Sequence, residues 1–238
     1  MKPYNEEDSK KEQVRDMFDN IAPTYDRLNH ILSINIDRLW RRRVVRLVRR
    51  MRPRRILDVA TGTGDLAIAM ARKIPDCRIL GVDLSEQMLA IAHEKIKARG
   101  LDEHIVLSVG DAEHLDIADG SVDVATVAFG VPNFENLEQG LREMHRTINE
   151  GGHIVILEFS TPRSRLFGAL YRWYSHTVLP FVGRLISRDG AAYDYLPSSV
   201  DEFPAPERFM EIMREAGFKN CKAQSQSFGI AQIYTAER

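Results

Sequence analysis

Between positions 58 and 111 the chain sets three carboxylates around a turn of small residues: Asp58, Gly62, Gly64, Asp83 and Asp111, in that order. The stretch ILDVATGTGDLAIAM (56–70) runs apolar residues through the two glycines into helical spacing. A glycine turn opening a helix suits a nucleotide-like ligand, because backbone N–H groups and the helix dipole point at it. A dinucleotide fingerprint would need a third glycine, and none follows Gly64 at the required spacing. Asp65 also stands at the helix start, where its charge repels a pyrophosphate. The site therefore reads as built for a nucleoside that carries a positive or zwitterionic group in place of phosphate. Asp83, nineteen residues after Gly64, suits the two hydroxyls of a ribose. Asp111, in VGDAEHL, suits an exocyclic adenine amine beside the backbone of Ala112. Ribose and adenine without phosphate point to S-adenosylmethionine, whose sulfonium and ammonium suit Asp58 and Asp65. Any one of these acids alone reads as a cap or a solvated loop residue; the ordered set carries the specificity.

The elements that must position these residues follow from periodicity. Helices are predicted over 10–20 and 37–51, with a loop or short helix between them. Strands are predicted at 54–60, 78–83, 105–111, 122–130 and 153–160, and helices at 65–74, 85–100 and 137–149. The strands are near-continuous apolar runs alternating with helices, which predicts a parallel sheet covered on both faces. The ligand then lies at the carboxyl ends of the strands. A helix over 205–218 and two antiparallel strands over 219–238 complete the chain. This makes one α/β domain, a doubly wound sheet: a helical cap (1–52), a cofactor-binding core (53–160), a lid or insertion (161–204), and a C-terminal helix and strand pair (205–238).

Composition narrows the class. The 238 residues are 44% hydrophobic and 28% charged with a net charge of −1, which is ordinary globular composition and gives no bias towards nucleic acid. Two distant cysteines, Cys77 and Cys221, offer no disulfide framework or zinc spacing, and no other metal-ligand cluster is seen. The polar N-terminus has no signal-peptide core and no apolar run spans a membrane, so a cytoplasmic protein is expected. One local imbalance remains: RLWRRRVVRLVRRMRPRR (38–55) holds ten arginines on an amphipathic helical pattern. It reads as a docked surface helix, or as one touching anionic lipid. RSRLFGALYRWYSHTVLPFVGRLISRDG (163–190) is aromatic and apolar, and its place near the ligand edge suggests a hydrophobic lid or interfacial helix.

DVATGTGDLAIAM, GVDLSEQML and GDAEHL resemble the first three motifs of the class I S-adenosylmethionine-dependent methyltransferases. From about residue 12 onward, VRDMFDNIAPTYDRLNHILSINIDRLW (14–40), AFGVPNF (128–134), ILEFSTP (156–162) and YDYLPSSVDEFPAPERFMEIMREAGF (193–218) resemble the ubiquinone/menaquinone biosynthesis C-methyltransferases. The resemblance implies a seven-stranded sheet whose last strand is antiparallel. It implies cofactor contacts at Asp58, Gly62, Thr63, Gly64, Asp83, Asp111, Ala112 and Ala128. It also implies methylation of a ring carbon of a prenylated demethylmenaquinol, or of the benzoquinol intermediate of ubiquinone biosynthesis. The sequence departs from the family at Asn35-Ile36-Asp37, at Leu28 and at Ala128.

A ring carbon is a weak nucleophile, so the reaction needs a positioned quinol and a base near its hydroxyl. Candidate catalytic residues are Tyr25, Asp26, His30, Glu158 and Tyr195, with His176 and Asp194 also in family-specific segments; Asn133 is placed to orient substrate or cofactor. Arg142 and Arg146 read as solvated. The isoprenoid tail predicts peripheral contact with the inner face of the cell membrane through the basic helix and the insertion. An exposed antiparallel edge allows a homodimer. Three rivals remain: a methyltransferase acting on RNA or a small phenol, a non-catalytic cofactor-binding subunit of a quinone-biosynthesis assembly, and an NAD dehydrogenase.

Overall fold

A computed structural model describes residues 2–5, 7–33, 35–162, 173, 177 and 190–238, with the side chains of 27–32, 190, 193 and 194 outside that description. The elements run α1 (Lys10–Leu32), α2 (Ile36–Met51), β1 (Arg55–Val59), α3 (Asp65–Ala71), β2 (Arg78–Asp83), α4 (Glu86–Lys97), β3 (Ile105–Val109), β4 (Val122–Ala128), α5 (Leu137–Thr147), β5 (Ile148–Phe159), α6 (Gly190–Glu202), α7 (Pro206–Glu215), β6 (Lys219–Gln226) and β7 (Ala231–Glu237). A single 3-10 turn, Val131–Asn133, follows β4.

The strands form one seven-stranded sheet in the order β3-β2-β1-β4-β5-β7-β6. β1 to β5 pair in parallel, and β7 lies antiparallel between β5 and β6, as the expected fold requires. The inner strands are apolar because both of their faces are covered. α2 and α3 seal one face through Trp40, Val44, Val48, Leu66 and Met70. α5 and α7 seal the other through Leu141, Met144, Phe209 and Met213. The chain leaves β1 towards β2 and β3, then returns to place β4 on the other side of β1. The crevice opens at that reversal, outside the carboxyl ends of the strands.

Three elements differ from expectation. α1 continues through Pro23 to Leu32, where a break after residue 20 was expected. Burial of Ile21 and Ala22 against α4 and α6 outweighs the backbone hydrogen bond that proline removes. α5 ends at Thr147, because Ile148 already pairs with Val122 in the sheet. α6 is an additional helix inside the segment expected to be a lid, and its Ala192 and Tyr195 pack on Met17 and Ile21 of α1. Most of 163–190 lies outside the described residues, His176 included.

Tyr234 in β7 is fully buried against Phe209, with ring centroids 4.7 Å apart, yet its hydroxyl finds no hydrogen-bond partner among the described residues. A buried unpaired hydroxyl costs about 1–3 kcal/mol. Tyr234→Phe should therefore stabilise the protein by about 1 kcal/mol in denaturant unfolding. A loss of stability would show that the hydroxyl has a partner after all.

Candidate functional site

β1 ends in Asp58-Val59, and the chain turns through Ala60, Thr61, Gly62, Thr63 and Gly64 into α3. The turn is tight enough to force left-handed backbone at Ala60, Gly62 and Gly64. Gly64 has a second constraint: a Cβ there would stand 3.2 Å from the Ala92 Cβ of α4. Asp58 lies under this turn with both carboxylate oxygens occupied, accepting from Thr61 Oγ1 at 2.7 Å and Thr126 Oγ1 at 2.6 Å. Burial pushes its pKa up to about 6.

Asp83 joins two turns. Its Oδ2 accepts the Gly62 N–H at 2.7 Å and its Oδ1 accepts the Ser85 N–H at 2.9 Å. Burial raises its pKa, and these amide hydrogen bonds oppose the rise. Ser85 in turn caps α4, accepting from Met88 N at 3.0 Å. Asp111 follows β3; its Oδ1 accepts the Glu113 N–H at 2.9 Å and its Oδ2 lies 2.5 Å from Lys11 Nζ of α1.

These turns line one cleft. It brings together Gly62, Asp83, Asp111, Ala112, Ala128 and Tyr25 of the expected site, with Asn133 beside them. The Asn133 side-chain oxygen is buried and has no hydrogen-bond partner among the described residues. Glu113 and Glu135 also line the cleft, so four carboxylates face two cations, Lys11 and Arg15. Such a surface favours a cationic ligand and opposes a diphosphate.

Other expected residues stand just outside the lining. Thr63 donates to Asp26 at 2.5 Å, and Lys95 Nζ lies 2.7 Å from Asp26 and 2.5 Å from Asp65. Arg41 stands 3.6 Å from Asp65. Asp26 and Asp65 are thus engaged by basic side chains, and Asp58 by two threonines. Glu158 is buried with Oε1 accepting the Val131 N–H at 2.9 Å. Tyr195 is buried in the α1–α6 cluster, and its hydroxyl has no hydrogen-bond partner among the described residues. His30 and Asp194 have side chains outside the described set. Arg146, expected to be solvated, donates to Leu115 O, Ile117 O, Glu143 and Asp119, which fixes the loop after β3.

The residues that sequence reasoning passed over are those of the cap: Lys11, Val14, Arg15 and Phe18 on α1, with Met88 opposite. Three of them lie in the family-specific stretch 14–40, and that stretch was the available signal.

The family model described as the ubiE/COQ5 methyltransferase family matches residues 6–238. Demethylmenaquinone methyltransferase of Bacteroides fragilis is 44% identical over 238 residues, covering 100% of this chain and 97% of that one. Ubiquinone/menaquinone biosynthesis C-methyltransferase UbiE of Geobacter sulfurreducens is 47% identical over 230 residues, covering 96% of this chain and 90% of that one. Among solved structures, a SAM-dependent methyltransferase from Thermotoga maritima superposes with a TM-score of 0.63 at 18% identity, covering 94% of this chain and 99% of that one. The [4+2]-cyclase SpnF superposes at 0.67 and 18% identity, covering 96% of each chain, so the shared fold alone does not set the chemistry. With the match spanning all but the first few residues, the chain belongs to the ubiE/COQ5 methyltransferase family.

Proposed function

We propose that this protein transfers the methyl group of S-adenosylmethionine to a ring carbon of a prenylated demethylmenaquinol, giving the menaquinol. The observation that carries the reading is the acidic cleft at the carboxyl ends of β1, β2 and β4, centred on Asp83. The relatives named as demethylmenaquinone methyltransferases supply the substrate class. Asp83 would hold the ribose hydroxyls, Asp111 and the Ala112 backbone would meet the adenine, and the turn at Gly62 would let the nucleoside approach the backbone. When bound, S-adenosylmethionine would supply an electrophilic methyl on a sulfonium. Its transfer to the ring carbon would break the S–C bond, leave the neutral thioether of S-adenosylhomocysteine, and release the ring proton to water. Neutralising a cation in this way needs little more than positioning and a hydroxyl made electron-rich by hydrogen bonding. The unpartnered Asn133 oxygen accepts from the quinol hydroxyl, and Tyr25, edge-on to Phe18 at 5.9 Å, closes the cleft from α1. No described helix is long and apolar enough to cross a membrane; in this reading it is the isoprenoid tail of the substrate that brings the protein to a bilayer surface.

The direct test incubates the purified chain with methyl-labelled S-adenosylmethionine and reduced demethylmenaquinone. Label in menaquinol is expected; cofactor binding without turnover would replace this reading with the non-catalytic subunit. Asp83→Ala should weaken cofactor binding about a hundredfold, since two charge-assisted hydrogen bonds of about 1.5 kcal/mol are lost. An unchanged Kd would remove Asp83 from the site.

Glu158 acts through the loop that carries Asn133, because it holds the amide of Val131 at the start of the 3-10 turn. Burial pushes its pKa from the ordinary 4.5 up to about 8, so the folded protein keeps a proton that the unfolded chain releases. This contribution to stability is fully present below about 4.5 and is lost as pH rises through about 8. Glu158→Gln keeps an acceptor without the ionisation. It should flatten the pH dependence of unfolding across that window and retain turnover. Glu158→Ala leaves a buried amide unpaired and should cost about 2 kcal/mol. Equal loss of turnover in both variants, with stability still sloping as in the parent, would make Glu158 the base instead.

A further inference from the structure

The edge of the sheet that holds the cleft carries a second feature. β7 runs antiparallel to β5, with Ala231 opposite Phe159, so the β6–β7 turn lies where β5 ends. Phe228 in that turn is 79% exposed, and its φ of 59° sits between 45° at Ser227 and 96° at Gly229. Non-glycine residues reach this region at a cost of roughly 1–2 kcal/mol each, so the surroundings must hold them there. They do. Ser160 Oγ donates to Gly229 O at 2.6 Å and Ser160 N donates to Ile230 O at 2.9 Å. Trp40 Nε1 donates to Ser227 Oγ at 2.9 Å, and Arg43 donates to Gln226.

The turn is thereby fixed to the N-terminal half of α2, where Ile36 and Leu39 are also exposed, at 36% and 46%. Along the same helix Arg38, Arg42, Arg46, Arg49 and Arg50 face solvent. None of the five pairs with a carboxylate among the described residues, in contrast to Arg41 on Asp37. Inward from this tip, Trp40 lies 5.9 Å from Phe159 and 6.3 Å from Phe129, which are 4.5 Å from each other. Phe129 lines the cleft. Packed aromatic rings thus run from α2 to the edge of the cleft.

We propose that the face formed by the N-terminal half of α2 and the β6–β7 turn docks on an anionic lipid bilayer. Ile36, Leu39 and Phe228 enter the acyl boundary and the α2 arginines lie on anionic headgroups. That the docked protein draws a prenylated substrate from the bilayer rests on the prenylated-quinol reading; the docking face rests on its own charge and exposure. Arg38 and Arg42 beside an apolar tip, with Arg46, Arg49 and Arg50 further along the helix, on a chain whose net charge is −1, match a headgroup layer over hydrocarbon better than they match a nucleic acid.

The test is flotation of the full chain with vesicles of phosphatidylcholine alone and of phosphatidylcholine mixed equally with phosphatidylglycerol. The protein should float with the anionic vesicles only and be released by high salt. Arg38→Gln, Arg42→Gln and Arg46→Gln together should lower partitioning roughly a hundredfold. Leu39→Gln with Phe228→Gly should lower it about tenfold or more; glycine accepts the left-handed backbone, so the turn is kept. Both variants should methylate a tail-less quinol in buffer at the parent rate. Protein that stays in the soluble fraction, flotation that the variants leave unchanged, or binding to RNA homopolymers in place of vesicles would overturn the docking face. Flotation with no turnover on any quinol would leave the face standing and overturn the substrate reading instead.

Discussion

A carboxylate taken out of water must find hydrogen bonds where it lies, and the site is organised around that requirement at Asp83. Its two oxygens are met by the amides of Gly62 and Ser85, which belong to the turns after β1 and β2. One side chain thus fixes the separation of two loops that a nucleoside must bridge. Each oxygen still has lone pairs to offer to the cleft. Asp58 makes the same kind of arrangement one layer deeper, where Thr61 and Thr126 satisfy it.

The cap is attached to these same turns. Asp19 of α1 accepts from Ser85 Oγ at 2.5 Å and from Gln87 N at 3.2 Å, while Asp26 holds Thr63 and Lys95. Lys11, from the start of the helix, reaches Asp111 and Glu113. α1 is thus held at three places over these turns. It also excludes water from a reaction in which a cation is neutralised, where a low dielectric strengthens each positioned dipole. On the far side, the loop carrying Gly130 and Asn133 is packed so closely that a Cβ at Gly130 would fall 2.5 Å from the Ala60 Cβ. The acceptor side and the cofactor side therefore cannot shift independently.

Much of this was legible in the sequence, for a physical reason. β1, β2 and β4 are covered on both faces, so their apolar runs are continuous, and β2 ends on Asp83 at the ligand edge. That made Asp83 readable as a candidate from spacing, whereas Asp111 follows β3, whose Val106 and Val109 are exposed, and was readable as the acid after that strand. Asp58 and Asp65 look the same in sequence, yet one is satisfied by threonines and the other by Lys95, thirty residues away. Partner choice of that kind depends on how helices pack, which local patterns do not encode. Pro23 inside α1 and the helix at Gly190–Glu202 were hidden for the same reason: mutual burial of the two elements overrides what each segment prefers alone. Phe18 carried no signal beyond its place in a family-specific stretch, and Lys11 lies before that stretch and carried none.

The central claim is that the charge of the cleft selects a sulfonium nucleoside and rejects a diphosphate. Isothermal titration of the ligand-free chain with S-adenosylmethionine, S-adenosylhomocysteine and NAD measures it directly. Binding of the first two with no heat from NAD is the predicted result. Tight uptake of NAD, with indifference to both adenosyl ligands, would contradict it.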